Sequence, residues 1–137
     1  AGARSLAPSS RPAPPGAETV LVVEDERLIR SALKRYLSTE GYHVLVAEHS
    51  REALEVARAH AGAIDVLVTD IVLPGIGGRA LAEELAKDRP ALRTLFMSAH
   101  PREMLVAQGK LEDGAAFLEK PFDMAALATQ LRGVLGK

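Results

Sequence analysis

The chain has 137 residues, which suits one domain, with 47% apolar residues, 4% aromatics and a formal charge of −1. It has no cysteine, which excludes disulfides and thiolate metal sites, and its balanced charge gives no electrostatic reason to expect nucleic acid or an anionic membrane as partner. No apolar run is long enough to cross a bilayer and no signal-peptide core opens the chain, so the expectation is a domain without membrane contact in a cytoplasmic setting, whether or not a parent protein is membrane-anchored.

Residues 1–18, AGARSLAPSSRPAPPGAE, are dominated by Pro, Ala, Ser and Gly and carry no periodic apolar face. They read as a flexible linker or tail. The missing initiator methionine suggests a piece of a longer protein, with this segment as a natural interdomain linker.

From Thr19 the pattern alternates strand and helix. Val20–Glu24 is a short apolar strand of the kind buried on both faces of a parallel sheet. Arg27–Thr39 is predicted as a helix with Leu28, Ile29, Ala32, Leu33, Tyr36 and Leu37 on its inner face, ended by a left-handed Gly41. Tyr42–Ala47 is the second strand. Ser50 is placed to cap a helix over Arg51–His60 with a stripe of Ala53, Leu54, Val56 and Ala57. Val66–Thr69 is the third strand, and Gly78–Lys87 the third helix, with Leu81, Ala82 and Leu85 inward. Thr94–Ser98 is the fourth strand, Pro101–Gln108 a short helix, and Ala115–Glu119 the fifth strand. Asp123 caps a last helix whose inner face is Ala126, Leu127, Leu131 and Leu135. Alternation at this spacing predicts an α/β fold, a parallel sheet wound with helices on both faces.

Each apolar run stops at a polar or charged residue, and those stops fall on one edge if the strands are parallel. Ligands of open α/β sheets bind on that edge. Glu24 and Asp25 follow the first strand, Asp70 the third, Ser98 the fourth and Lys120 the fifth. Three clustered carboxylates repel, and a divalent cation removes that cost; hard oxygen ligands suit Mg²⁺. Lys120 supplies a balancing charge, and the Lys120-Pro121 bond is a candidate cis peptide in a tight turn. Each residue also has an ordinary role: Asp70 starting a turn, Asp25 or Ser98 capping a helix, Lys120 solvated at the surface. The convergence of all of them is what favours chemistry.

The segments VLVVEDE (20–26), DIVLPGIGG (70–78), LFMSAH (95–100) and AAFLEKPF (115–122) resemble, in order and spacing, the receiver domain of two-component response regulators. The resemblance runs from Thr19 to Leu135, with the receiver assigned to 19–137. It implies a flavodoxin-like sheet of five parallel strands in the order 2-1-3-4-5. Asp70 matches the phosphoacceptor. Asp25 matches the direct metal ligand, Glu24 its acidic neighbour acting through metal-bound water, and the Val72 carbonyl the third protein ligand of Mg²⁺. Lys120 matches the conserved lysine, Ser98 the switch hydroxyl and Phe117 the switch aromatic. Val72 and His100 fall at positions that tune phosphate lifetime. Glu24, Leu73 and Phe117 depart mildly from the commonest residues of the pattern, aspartate, methionine and tyrosine. The implied reaction is phosphoryl transfer from a phosphohistidine of a histidine kinase or a histidine phosphotransfer domain onto Asp70. Ser98 then moves toward the phosphoryl group, Phe117 turns inward, and the face of the fourth helix, fifth strand and fifth helix changes; a homodimer through that face is an assembly the resemblance allows. The Pro/Ala-rich leader and the stretch from LFMSAH to KPF are similar to receivers of hybrid histidine kinases.

Other readings weigh less. A stand-alone single-domain regulator shares the same site. A degenerate receiver that only binds protein should have lost one of the acidic, hydroxyl or lysine positions. A phosphatase with an aspartyl nucleophile wants a second acid where Val72 stands. A dinucleotide fold wants a G-x-G-x-x-G after the first strand, and none is present. His43, His49 and His60 lack metal or dyad spacing and are expected at the surface.

Overall fold

A computed structural model of the protein describes residues 18–136, so the expected linker over 1–18 lies, apart from Glu18, outside the described residues. Five strands, β1 (Thr19–Val23), β2 (His43–Ala47), β3 (Val66–Asp70), β4 (Arg93–Ser98) and β5 (Phe117–Glu119), alternate with five helices, α1 (Arg27–Thr39), α2 (Ser50–Ala59), α3 (Gly78–Asp88), α4 (Arg102–Ala107) and α5 (Met124–Leu135). The sheet order is β2-β1-β3-β4-β5 and every pairing is parallel. This is the doubly wound arrangement that the alternation predicts.

The apolar runs explain the layering. Successive residues of a strand face opposite sides. On one side Val20, Val22, Val66, Val68, Leu95 and Met97 pack with Leu33 and Leu37 of α1 and Leu127 and Leu131 of α5. On the other, Leu21, Val23 and Leu67 meet Ala53 and Ala57 of α2 and Leu81 and Leu85 of α3. A third cluster joins Ile71, Phe96 and Phe117 to Leu105 of α4 and to Leu111. Each fully buried aliphatic side chain contributes roughly 2 kcal/mol. β3 lies in the middle of the sheet with all five residues buried, so Asp70 ends the most enclosed strand.

Two local expectations are corrected. Leu28, expected on the inner face of α1, is 83% exposed. The buried pair is Leu33 and Leu37, one helical row at i, i+4 flanked by Ile29 and Tyr36; Leu28 and Ala32 form the next row, which faces solvent. Ser50 does not cap α2 from outside but is its first residue. The cap is His49, whose Nδ1 accepts from the Glu52 amide at 3.1 Å. Gly41 is left-handed after α1 (φ 96°), and Asp123 caps α5 by accepting from the Ala126 amide at 2.8 Å, both as expected.

Candidate functional site

The carboxyl edge of the sheet gathers its polar residues through strand register. Val23 pairs with Thr69 and Asp70 with Met97, so the residues just past β1, β3 and β4 emerge side by side. Glu24 and Asp70 are buried, whereas Asp25 is exposed. One carboxylate oxygen from each of Glu24, Asp25 and Asp70 lies within 4.8 Å of the other two. Lys120 reaches in from the end of β5, and its Nζ lies 2.6 Å from Asp70 Oδ1 and 2.6 Å from Glu24 Oε1. The Lys120-Pro121 peptide is cis.

Further backbone contacts hold these groups. Glu24 Oε2 accepts from the Glu26 amide at 3.0 Å, and its carbonyl accepts from the Arg30 guanidinium at 2.8 Å. Gly78 approaches β3 so closely that a Cβ there would fall 2.1 Å from the Asp70 carbonyl oxygen. Only glycine fits at that position, so Gly78 is what lets α3 start directly against the end of β3.

The electrostatics follow from burial. Desolvation pushes the Asp70 carboxyl up, the hydrogen bond to Glu24 adds to this, Lys120 opposes it, and the outcome is a pKa raised to about 7. Burial also acts upward on Glu24, but hydrogen bonds with Asp70 and Lys120 and from the Glu26 amide outweigh it and hold the group below the usual glutamate range. Burial acts downward on Lys120, and its contacts with Asp70 and Glu24 overcome it, so the ammonium titrates above an ordinary lysine. Near neutral pH the Asp70 carboxyl is therefore only about half ionised. A divalent cation would favour the ionised form, and three convergent hard oxygen donors, one of them the solvent-facing Asp25, fit Mg²⁺.

The remaining predicted residues lie on β4, on β5 and in the loops that follow β3 and β4. Ser98 is buried at the end of β4; its hydroxyl accepts from the His100 amide at 3.0 Å rather than capping α4, whose cap is Pro101. Val72 is 58% exposed and His100 is exposed. Phe117 is only 8% exposed, already inward against Phe96 and Leu105, with the Arg102 guanidinium 5.5 Å from its ring centre. Arg30 and Arg102 carry no signal in the sequence, and neither do the bonds of Ser50 to the loop after Asp70. Arg30 lies six residues from Glu24 and meets only its backbone, so no side-chain pattern flags it. His49 is absorbed as a cap, and the rings of His43 and His60 stack 5.7 Å apart.

A parallel sheet of this order, with an acidic pocket and a lysine at its carboxyl edge, defines a doubly wound α/β domain with its ligand site at the strand ends. The model of the response regulator receiver domain matches residues 20–132, and the chain belongs to that family. It is 35% identical over 122 residues to the sensor kinase CckA of Brucella abortus, covering 89% of this chain and 13% of that protein. It is 37% identical over 119 residues to the transcriptional regulatory protein CreB of Escherichia coli, covering 86% of this chain and 51% of that protein. The chain therefore spans about half or less of these curated relatives. Among solved structures it resembles the receiver domain of the hybrid histidine kinase CckA, with 35% identity and a TM-score of 0.72 over 85% of this chain and 98% of that one. It also resembles the response regulator TrrA of Thermotoga maritima, solved in complex with Mg²⁺-BeF, with 30% identity and a TM-score of 0.70 over 86% of this chain and 99% of that one.

Proposed function

We propose that this domain accepts a phosphoryl group from a phosphohistidine of a histidine kinase or histidine phosphotransfer domain onto Asp70, in a Mg²⁺-dependent reaction. The observation that carries the reading is the Lys120 ammonium bridging Asp70 and Glu24 at 2.6 Å each, beside Asp25. Glu24, Asp25, Asp70 and the Val72 carbonyl would hold the cation, Glu24 through a bound water. When bound, Mg²⁺ supplies charge neutralisation for the oxygens of the phosphoryl group.

The chain's own groups do the rest. The ionised Asp70 carboxylate attacks phosphorus in line, the phosphorus–nitrogen bond to imidazole breaks, and the imidazole keeps the electron pair and takes a proton from solvent. Lys120 stays protonated and pairs with the phosphoryl oxygens. The product is an acyl phosphate on Asp70, later hydrolysed by water. Ser98 donates to the phosphoryl group, and Phe117, inward in this structure, belongs to the switched state of the face formed by α4, β5 and α5. That face is the candidate homodimer contact. Val72 and His100 set the lifetime of the acyl phosphate; Val72 cannot orient a water, so self-dephosphorylation is slow to moderate.

The 35% identity to the sensor kinase CckA over 89% of this chain supports a hybrid histidine kinase as parent, with 1–18 as linker and 19–137 as receiver. A cytoplasmic setting with protein partners, rather than nucleic acid, accords with this. Among the described residues no helix is long and apolar enough to cross a membrane. The test is incubation with Mg²⁺ and acetyl phosphate, read by intact mass. A single phosphoryl adduct on the wild type, absent from Asp70→Asn and from wild type in EDTA, is expected. Equal labelling of both proteins would overturn the assignment of Asp70, and no labelling of either would favour a protein-binding role alone.

A further inference from the structure

The loop from Ile71 to Gly77 carries the proposed Val72 ligand, and its path is fixed at three places. Gly78 N–H donates to the Ile71 carbonyl at 2.8 Å and closes its base. Ile71 and Leu73 point into two separate cores, leaving Val72 between them at the surface. Its tip is held by one hydroxyl from another element. Ser50 Oγ donates to the Pro74 carbonyl at 3.1 Å and accepts from the Ile76 amide at 3.1 Å, spanning Gly75. Ser50 is 3% exposed, and Gly75 is left-handed (φ 88°), with a Cβ there falling 2.6 Å from Ser50 Oγ. A buried hydroxyl whose donor and acceptor are both used by one three-residue turn is a staple between α2 and the loop that carries the proposed ligand.

We infer that Ser50 is a positioning residue for the cation site: its hydroxyl ties the β3–α3 loop to the first turn of α2 and thereby sets the placement of the Val72 carbonyl. The inference rests on the Mg²⁺-dependent phosphoacceptor reading. A loop freed at its tip must be ordered by the incoming ion, so binding weakens while the reaction of the loaded site is preserved.

Two readouts test it, on the full chain. In metal-free protein, the exchange rate of the Ile76 amide reports the staple directly. Ser50→Ala is expected to raise it about tenfold or more, as two neutral hydrogen bonds are lost. In the acetyl phosphate assay, Ser50→Ala is expected to raise the half-saturating Mg²⁺ concentration by about three- to tenfold, with the rate at saturating Mg²⁺ within about twofold of wild type. Ser50→Thr, which keeps the hydroxyl, restores both. Unchanged Ile76 exchange in Ser50→Ala overturns the staple. Faster exchange with an unchanged Mg²⁺ requirement, or a rate loss that saturating Mg²⁺ does not recover, overturns the positioning role. Should the wild type itself take no phosphoryl group, the phosphoacceptor reading falls and the positioning role with it, while Ile76 exchange still decides the staple. Circular dichroism of Ser50→Ala separates these outcomes from failure to fold; Gly75→Ala, which crowds the same hydroxyl from the loop side, must raise Ile76 exchange too, and unchanged exchange there counts against the staple.

Discussion

Lys120 is the residue on which the pocket's charge balance turns. It meets two carboxylates at 2.6 Å in a partly buried setting, where solvent screening is weak. Replacing it with glutamine leaves Glu24 and Asp70 without their cation and removes a donor from the phosphoryl site. The initial rate of phosphorylation by acetyl phosphate in Lys120→Gln is expected to fall by about a hundredfold, with the half-saturating donor concentration little changed. Asp70 gives a second test. Its folded pKa of about 7 lies above the ordinary aspartate range, so between that range and pH 7 the folded state binds the extra proton. Stability from this group is therefore full at low pH and lost as pH rises through 7. Glu24 is shifted down and Lys120 up, so neither titrates in that window. The melting temperature of the metal-free protein should fall from pH 5 to pH 8, and the fall should be absent in Asp70→Asn. The acidic and lysine positions were legible in the sequence because each ends an apolar run. The hydroxyl of Ser50 was not, since serine at a helix start has a simpler role as a cap, and only the folded loop reveals its second partner.

The elements themselves were legible to within a residue or two, for a physical reason: apolar runs of four or five residues bounded by charge have little choice but burial in a parallel sheet. Two helix details were not legible in the same way. Leu28 matched the helical spacing of α1, yet spacing alone does not say which of two adjacent rows faces the sheet, and Leu33 and Leu37 decide it by burying the other row. At α2 two candidate caps stood side by side. His49 takes the role because Ser50 is turned toward the Pro74–Ile76 loop. His49→Ala is expected to lower unfolding free energy by about 1 kcal/mol, measured by urea denaturation, without altering the Mg²⁺ requirement. Phe117 shows a similar limit: an aromatic in a short strand could face either way, and the inward position depends on Arg102 and Leu105, from an element that the sequence marks only weakly.

At the scale of the whole molecule, the sheet separates two apolar layers and concentrates repulsion at one edge. Three carboxylates gathered within 4.8 Å oppose folding, and a cation bound there favours it. At a Mg²⁺ concentration about a hundredfold above its Kd, linkage adds about 2.7 kcal/mol to stability. The melting temperature should thus rise with Mg²⁺ in the wild type. Asp25→Asn, which alters the exposed ligand and leaves the buried pair, should require much higher Mg²⁺ for the same rise.

The β4–β5 ladder continues past the last strand, because the Lys120 amide donates to the Ser98 carbonyl at 2.8 Å. Ser98 and Lys120 are therefore locked as backbones, and strand sliding is closed to them. If the Ser98 hydroxyl swings away, the loss falls on the His100 amide, which gives up its acceptor. That amide lies two residues before α4, a helix of six residues anchored by a single buried leucine, Leu105. News of a modified aspartate would then leave the sheet rim through a peptide in search of a new partner, and α4, the shortest of the described helices, would be the one to answer.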